Sequence, residues 1–479
     1  MCGIFASLRG PETPTHKLTH RGPDTYTSLV IGKASLCFDR LAINGGSGGI
    51  QPFEHNNKWI IANAEIYNHD ELGGTEEQSD CKVILPTVEA HGLIHACQMF
   101  SGDFAFVYTD GENMWAARDQ VGVRPLFYVR TFNGICFASE VKALLNLGPK
   151  IEIFPPGHLY DSAIDDFVCW MPNYWDSPRL DDDEDFVKLQ IRELLEDAVE
   201  KRVRNTEQPV GFFLSGGLDS SIIAALGKKF LGHIKTFSIG LQGSPDLLAA
   251  QVMADHLGSE HTEIYFTPEH GIKALEDVIW SLETYDTTTV RASVPMYLLS
   301  KYIKENTDIR VVLSGEGSDE LFGGYLYFHG APTVQDFKME TGRLIRDVHL
   351  FDVLRADRTT AAHGLELRVP FFDRDLIDYV MDGFDPKLKL PKDGLEKALL
   401  RECCKDLLPG DIFWRQKNGM SDAVGTSWVS ALRRHGENYK AIFTKMFGNK
   451  NDHLVPYMWM PKWSDVKDPS ATVLPYFQH

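Results

Sequence analysis

Apolar and polar positions divide the chain into two regimes. In the first third, short alternating or wholly apolar runs cover Trp59 to Ala62, Phe104 to Tyr108, Met114 to Ala117, Pro125 to Val129 and Ile135 to Ala138. Turn residues such as Asp110-Gly111 and Asn133-Gly134 separate them, a pattern that predicts antiparallel strands with hairpins. After Trp175 comes Asp176-Ser-Pro-Arg-Leu and the unbroken acidic run Asp181 to Asp185, which predicts a solvated connection between a domain at 1–178 and another at 186–479. From Phe186 to Arg204, Ile191, Leu194, Leu195, Ala198 and Val199 recur at helical spacing. Beyond it, strands at Val210 to Phe213, Ile234 to Leu241, Glu260 to Phe266 and Ile309 to Leu313 alternate with helices such as Leu247 to Leu257. Such alternation predicts a parallel sheet with helices on both faces and ligands beyond the carboxyl ends of its strands.

Two loops lie at such ends. The first, Ser215-Gly-Gly-Leu-Asp-Ser220, follows an apolar strand and opens a helix. Gly216 and Gly217 lack Cβ atoms, so backbone N–H groups and the helix dipole can approach an anion there. No Lys follows the glycines, so this is not the phosphate loop of kinases and GTPases. The second reads Ser314-Gly-Glu-Gly-Ser-Asp-Glu320, with three acids within five residues. Asp219 and Asp319 are the candidate ligands of a magnesium ion, which one or two carboxylates hold together with ATP phosphates. A net charge of −19 argues against nucleic acid as main partner, and a chain this acidic must gather cations locally, or use a metal, to bind ATP. Eight scattered cysteines without a Cys-x-x-Cys pair predict reduced thiols in a cytoplasmic protein, and the sequence holds no targeting or membrane-spanning run.

Cys2 follows the initiator methionine. Its small side chain favours removal of Met1, which would leave a thiol beside a free α-amine that titrates near pH 7.7–8.0 and can take the thiol proton.

Around it the sequence resembles the class II glutamine amidotransferase family. The pieces that carry the likeness are Met1 to Phe5, His20-Arg-Gly-Pro-Asp24, Arg40-Leu-Ala-Ile43, Asn63-Ala-Glu-Ile-Tyr-Asn68 and Ser79-Asp-Cys81. It implies an N-terminal-nucleophile four-layer sandwich in which Cys2 attacks the carboxamide of glutamine and releases ammonia. Arg40, Ile43, Asn63, Ala64, Glu65 and Asp80 would surround that glutamine. Substrate chemistry agrees: the α-carboxylate needs a cation and the ammonium an anion, which Arg40 and Asp80 can supply, while Asn63 and the N–H of Ala64 serve the oxyanion. Gly102 to Phe106, Arg118 to Gly122 and Ala138 to Lys142 also match, as scaffold.

In the second domain the Ser215 loop resembles the pyrophosphate loop of enzymes that split ATP between its α- and β-phosphates. With Glu283 to Ser293, Leu313 to Phe328, Glu366-Leu-Arg-Val-Pro-Phe371 and Arg415-Gln-Lys417, the likeness becomes specific to the glutamine-hydrolysing asparagine synthetase family of the B type. It extends from Cys2 to about Trp428; the tail to His479 receives no role.

The reaction so implied joins ATP, aspartate and glutamine to give asparagine, glutamate, AMP and pyrophosphate, with a homodimer left open. By resemblance, Leu214, Ser215, Gly216, Gly217, Asp219, Ser220, Ile239, Ser314 and Gly315 contact ATP. Lys417 neutralises phosphate charge, Arg291 orients an anionic group, and Glu316 assists ammonia attack. Rivals on the same scaffold are a β-lactam-forming synthetase, which Cys2 opposes, and an amidotransferase for another carboxylate; a sensor that has lost catalysis is opposed by the intact reactive residues.

Two departures stand out. The segment from Gly10 to His20 is short, and Ala64 stands where the family has glycine. If residue 64 needs a positive φ, its Cβ costs about 1 kcal/mol, so Ala64→Gly is expected to speed glutamine hydrolysis by about tenfold or less.

Overall fold

The computed structural model describes residues 1–75, 78–171, 183–417, 424–436, 438–456 and 460–464. Twelve strands build the N-terminal part: β1 (Gly3–Leu8), β2 (Thr25–Ile31), β3 (Ala34–Arg40), β4 (Phe53–His55), β5 (Lys58–Ile66), β6 (Gly102–Thr109), β7 (Met114–Arg118), β8 (Phe127–Arg130), β9 (Ile135–Ala138), β10 (Ile151–Ile153), β11 (His158–Asp161) and β12 (Asp166–Cys169). They form two six-stranded antiparallel sheets, ordered β10-β8-β9-β1-β3-β2 and β12-β11-β7-β6-β5-β4. The turns at Asp110-Gly111 and Asn133-Gly134 join β6 to β7 and β8 to β9, as their chemistry predicts.

Period two explains how the sheets stack. Ile4, Ala6 and Leu8 point into a core shared with Ile61, Ala105 and Val107 of the other sheet. Helices α1 (Ile84–His91) and α2 (Leu93–Met99) cover the outer face of the second sheet through Phe104, Phe106 and Ala96. On the first sheet the opposite-facing residues Phe5, Cys37, Val129 and Ala138 belong to the same core as the C-terminal part. The two facing sheets of the expected sandwich therefore form with one helical layer, and the outer face of the first sheet packs on the C-terminal part.

That part begins with α3 (Glu184–Arg204), whose first N–H groups are capped by the Asp183 carboxylate. The predicted boundary and the first two residues of the acidic run fall on 172–182, outside the described residues. Strands β13 (Val210–Phe213), β14 (Lys235–Gly240), β15 (Glu260–Tyr265), β16 (Val311–Leu313) and β17 (Glu366–Arg368) form one parallel sheet in the order β15-β14-β13-β16-β17. The connecting helices include α4 (Leu218–Leu231), α5 (Pro245–Leu257), α6 (Pro268–Leu282), α7 (Thr287–Asn306), α8 (Ser318–Phe322), α9 (Val334–Asp347) and α10 (Asp352–Ala361).

The tail, to which the sequence assigns no role, packs as structure. Trp428 is fully buried and donates its indole N–H to the Arg291 carbonyl, and Phe447 stacks on Trp280 with ring centroids 5.3 Å apart. Positions 457–459 and 465–479 lie outside the described residues. Among the described residues no helix is long and apolar enough to cross a membrane, and all eight cysteines are free thiols.

Buried charge pairs cross the seam between the two parts. Arg21 bonds Glu140 at 2.8 Å and reaches Asp357 of α10 at 2.9 Å. Arg358, one residue on, pairs with Glu140 at 3.1 Å and Glu283 at 3.2 Å. Arg368 of β17 pairs with Glu65 of β5 at 2.8 Å. Removing one partner of such a pair strands a buried charge at a cost of about 3–5 kcal/mol, so these contacts lock one relative placement.

Candidate active sites

Cys2 precedes β1 and lies half-buried between β5 and the end of β3. Its backbone N–H donates to Asn63 Oδ1 at 2.9 Å, and its thiol receives the Leu41 N–H at 3.5 Å. Burial pushes the thiol pKa up, against the pull of the terminal amine and Leu41 N–H. Asn63 Nδ2 is buried without a hydrogen-bond partner, which leaves a donor beside the sulfur. Ala62 and Ile66 direct their N–H groups away from β6, to Gln51 Oε1 at 2.6 Å and Asp80 Oδ2 at 2.7 Å. Ala64 lies between them in the same alternation, so its N–H faces the same open edge.

Ala64 sits opposite Phe104 in regular strand and does not take a positive φ. The strain argument for a slowed enzyme therefore fails, since alanine here costs nothing that glycine would spare. The expected outcome for Ala64→Gly is a glutamine hydrolysis rate unchanged within about twofold and a stability loss of about 0.5–1 kcal/mol from the added chain freedom, read by steady-state rates and chemical denaturation.

The other predicted glutamine ligands surround Asn44. Arg40, 6% exposed, donates to the carbonyls of Asn44 at 3.1 Å and Gly46. Asp80 is buried, and burial raises its pKa although the Ile66 N–H opposes it. Ile43 is buried and its carbonyl takes the Glu207 N–H at 3.3 Å. Glu65 is spoken for at the seam: one carboxylate oxygen accepts from Asn44 at 3.1 Å, Asn205 at 3.0 Å and Arg368 at 2.8 Å.

The second site is a cavity of about 290 Å³ at the carboxyl ends of β13, β14 and β16. Leu214, Ser215, Gly217, Asp219, Ser220, Ile239, Ser314, Gly315, Glu316, Asp319 and Lys417 line it together. A Cβ on Gly315 would come within 2.8 Å of the Asp219 backbone, so glycine lets the two loops touch. Two predicted residues are not on that wall. Gly216 takes φ +66° and turns to α5, where a Cβ would meet the Ala249 carbonyl carbon at 2.2 Å, so packing by itself requires glycine there. Arg291 is 1% exposed on α7, while Thr288, Thr289, Ala292, Pro295, Met296 and Leu299 of that helix form the wall. Arg291 thus lies behind the wall as described, while the sequence assigns it the orienting of an anionic group.

Charge in this cavity is tightly balanced. Lys397 bonds Asp219 at 2.7 Å and Asp319 at 2.6 Å, and Lys417 bonds Asp319 and stands 3.8 Å from Asp219. Burial alone would raise the Asp319 pKa, but these two ammonium groups hold it far below the carboxylate range. Burial likewise disfavours the Lys417 cation, yet Asp319 and Asp219 keep it firmly protonated. Glu316 differs: burial pushes it up to about 7 against the opposing Arg355 guanidinium, 2.8 Å away. Glu320 accepts from the Tyr325 hydroxyl at 2.5 Å and is buried beside the cavity.

Sequence reasoning misses Lys397, Arg355 and Arg415. Arg415 ties the Ser215 carbonyl at 3.1 Å to Asp246 at 2.7 Å, and its one signal was its place two residues before Lys417. Lys397 has none, since it arrives from a turn 178 residues beyond Asp219 and is held at φ 55°, a conformation that costs on the order of 1–3 kcal/mol and gathers at functional sites.

The family models match both parts. The glutamine amidotransferase domain covers residues 1–157, and asparagine synthase covers 190–344 and 335–441. The chain belongs to the asparagine synthase family. The glutamine-hydrolysing asparagine synthetase of Gallus gallus is 41% identical over an alignment 562 positions long that spans 100% of this chain and 99% of that protein. That of Homo sapiens is 40% identical over 559, with the same coverage. Among solved structures, the glutamine phosphoribosylpyrophosphate amidotransferase from B. subtilis complexed with ADP and GMP overlays on 50% of this chain and 67% of its own, at 19% identity and a TM-score of 0.31, too slight a likeness to bear on function.

Proposed function

We propose that this chain synthesises asparagine in the cytoplasm from glutamine, aspartate and ATP, with Cys2 as the nucleophile of a domain at 1–178 and the cavity of the parallel sheet, in a domain at 186–479, as the synthetase site. The observation that carries the reading is the joint presence of Cys2 between Asn63 and Leu41 and of Asp219, Glu316, Asp319 and Lys417 around one cavity.

Once Met1 is removed, the Cys2 amine takes the thiol proton as sulfur bonds to the carboxamide carbon of glutamine. Asn63 Nδ2 and the Ala64 N–H stabilise the oxyanion. The intermediate collapses with the C–N bond breaking, the proton leaves on ammonia, and water hydrolyses the thioester to glutamate. Arg40 and Asp80 hold the two charged ends of the amino acid.

In the cavity, the β-carboxylate of aspartate attacks the α-phosphorus of ATP and pyrophosphate departs against Lys417 and the Ser215 loop. Ammonia then attacks the acyl carbon of β-aspartyl-AMP, AMP leaves, and Glu316 accepts the proton released. A carboxyl held near 7 suits that task, since it is ionised enough to take a proton and basic enough to keep it.

Asp219 and Asp319 fit magnesium, which takes one or two carboxylates beside phosphate oxygens. When bound, the ion offsets charge on the phosphates. In the free protein Lys397 and Lys417 balance these carboxylates. Lys397→Gln is therefore expected to lower thermal stability in a chelator, by an amount on the order of the 3–5 kcal/mol for breaking a buried pair, and magnesium alone is expected to restore part of it. Equal melting temperatures for variant and parent in chelator would show that Lys397 does not balance the pair.

Aspartate-dependent exchange between ATP and pyrophosphate, run across candidate carboxylates, tests the reading. Exchange with a carboxylate other than aspartate, or none, would overturn it.

A further inference from the structure

The matched run Glu366-Leu-Arg has no part in the chemistry above, yet β17 delivers its first residue from the C-terminal sheet to the other active site. Glu366 Oε2 accepts a hydrogen bond from the α-ammonium of Met1 at 2.9 Å, and both groups are buried, at 0% and 2% side-chain exposure. Its second oxygen is fixed by Arg368 Nε at 2.8 Å. Burial alone would raise its pKa, but the terminal amine, Arg368 and Arg124 hold it far below the usual range, so it is an anion.

Excision of Met1 removes this amine and creates another one residue along, displaced by no more than about 3.8 Å. It leaves vacant the buried space of the methionine side chain, whose sulfur now meets Arg21 Nη2 at 3.9 Å. The new amine keeps its bond to Asn63 Oδ1, while Arg21 Nε holds the Cys2 carbonyl at 3.1 Å. Glu366 then keeps Arg368 on Oε1 but loses the donor on its buried Oε2, and a buried acceptor left without a partner is costly unless another donor replaces it. The Cys2 amine is the nearest one the processed chain creates.

We propose that Glu366 takes over the α-amine of Cys2 in the processed protein, directly or through one water in the vacated space, and so is a positioning residue of the glutaminase contributed by the synthetase domain. The inference rests on the reading of Cys2 as an N-terminal nucleophile. It explains why Met1 sits at a carboxylate in the heart of the seam. It also links the two sites by one short strand, because the Arg368 carbonyl at the other end of β17 accepts the Ser314 N–H at 3.1 Å. Asn63 and Glu366 then fix the amine from two sides, with its lone pair left for the thiol proton.

The charged groups facing this amine are Glu366 and Arg368 of β17, Arg124, Glu65 of β5, and Arg21 with its partner Asp357. Glu366 favours the protonated amine; Arg124, Arg368 and Arg21 oppose it. Neutralising Glu366 must therefore move the acidic limb of glutamine hydrolysis to lower pH.

The test uses full-length protein with its Cys2 terminus verified by mass spectrometry, and compares the parent with Glu366→Gln, Glu366→Asp and Cys2→Ala. Glu366→Gln should lower kcat for glutamine hydrolysis by about tenfold or more at pH 8 with little change in KM, and shift the acidic limb downward, because the base is misplaced rather than the substrate. Glu366→Asp should recover part of kcat and the parental limb. A parental rate and limb in Glu366→Gln, with Cys2→Ala inactive, overturns the proposal and leaves the nucleophile standing. Glutamine hydrolysis surviving in Cys2→Ala would instead overturn the nucleophile. If Glu366→Gln lost hydrolysis and ammonia-dependent synthesis in equal measure with an unshifted limb, Glu366 would only hold the seam, which also overturns the proposal.

Discussion

Cys2→Ala is expected to abolish asparagine formation from glutamine and to leave formation from ammonium salts within about twofold of the parent, since Cys2 is not among the residues that line the synthetase cavity. The first loss is large because the sulfur forms the bond; deleting a nucleophile lowers a hydrolase by a factor on the order of 10⁴ or more, with only the oxyanion donors left to act. Asn63 and Leu41 remain where they are, since neither depends on the sulfur for its place in β5 or after β3. The measurement is asparagine formed with each nitrogen source at saturating ATP and aspartate. Loss of the ammonium-driven activity would show that the two chemistries share one site. A chain that keeps Met1 should behave like the variant, because its amine is then one residue away from the thiol and already paired with Glu366.

Lys417→Ala is expected to have the opposite selectivity. Synthesis should fall by about 100-fold or more from either nitrogen source, the loss typical of removing a preorganised group aimed at developing charge, while glutamine hydrolysis persists. Lys417 is held between Asp319 and Asp219, and no other lysine than Lys397 bonds this pair among the described residues. Glu316→Ala should share the phenotype for a different reason. In the parent, synthesis measured at constant free ammonia should fall as pH drops through about 7, where Glu316 takes up its proton and can accept no other. In the Glu316 variant that limb should disappear along with most of the rate. Normal asparagine formation in either variant would remove that residue from the synthetase site.

These two experiments separate by residue what the fold keeps separate in space, and the contacts between the halves show why neither half is complete alone. Asp357 and Arg355 lie two residues apart on α10, the first bonded to Arg21 behind Cys2 and the second to Glu316. Arg368 reaches Glu65 with its side chain and the Ser314 loop with its carbonyl. Strand β17 and helix α10 thus touch both sites.

The sequence by itself determined a good deal. Turn chemistry at Asp110-Gly111 and Asn133-Gly134, period-two runs and the later strand-helix alternation are local signals, and they were sufficient for two classes of sheet and for both loops at strand ends. Cys2 and Asn63, 61 residues apart, were legible as candidates only through the resemblance, whose motifs are each a few residues long, whereas the acids of the second loop stood out by their density within five residues. Other features were not. Strands β1 and β3 are buried at every position, so no alternation marks them, and β17 is three residues long. The place of Gly216 against α5 and that of Arg291 behind the cavity wall came from packing, and the correction at Ala64 from the backbone angle of a regular strand. Lys397 is 178 residues from Asp219 and 78 from Asp319, and Glu366 is 365 residues from the N-terminal amine. Pairings of that kind follow from which strands neighbour one another and from the burial that makes an unpaired charge costly, so tertiary structure alone decided them.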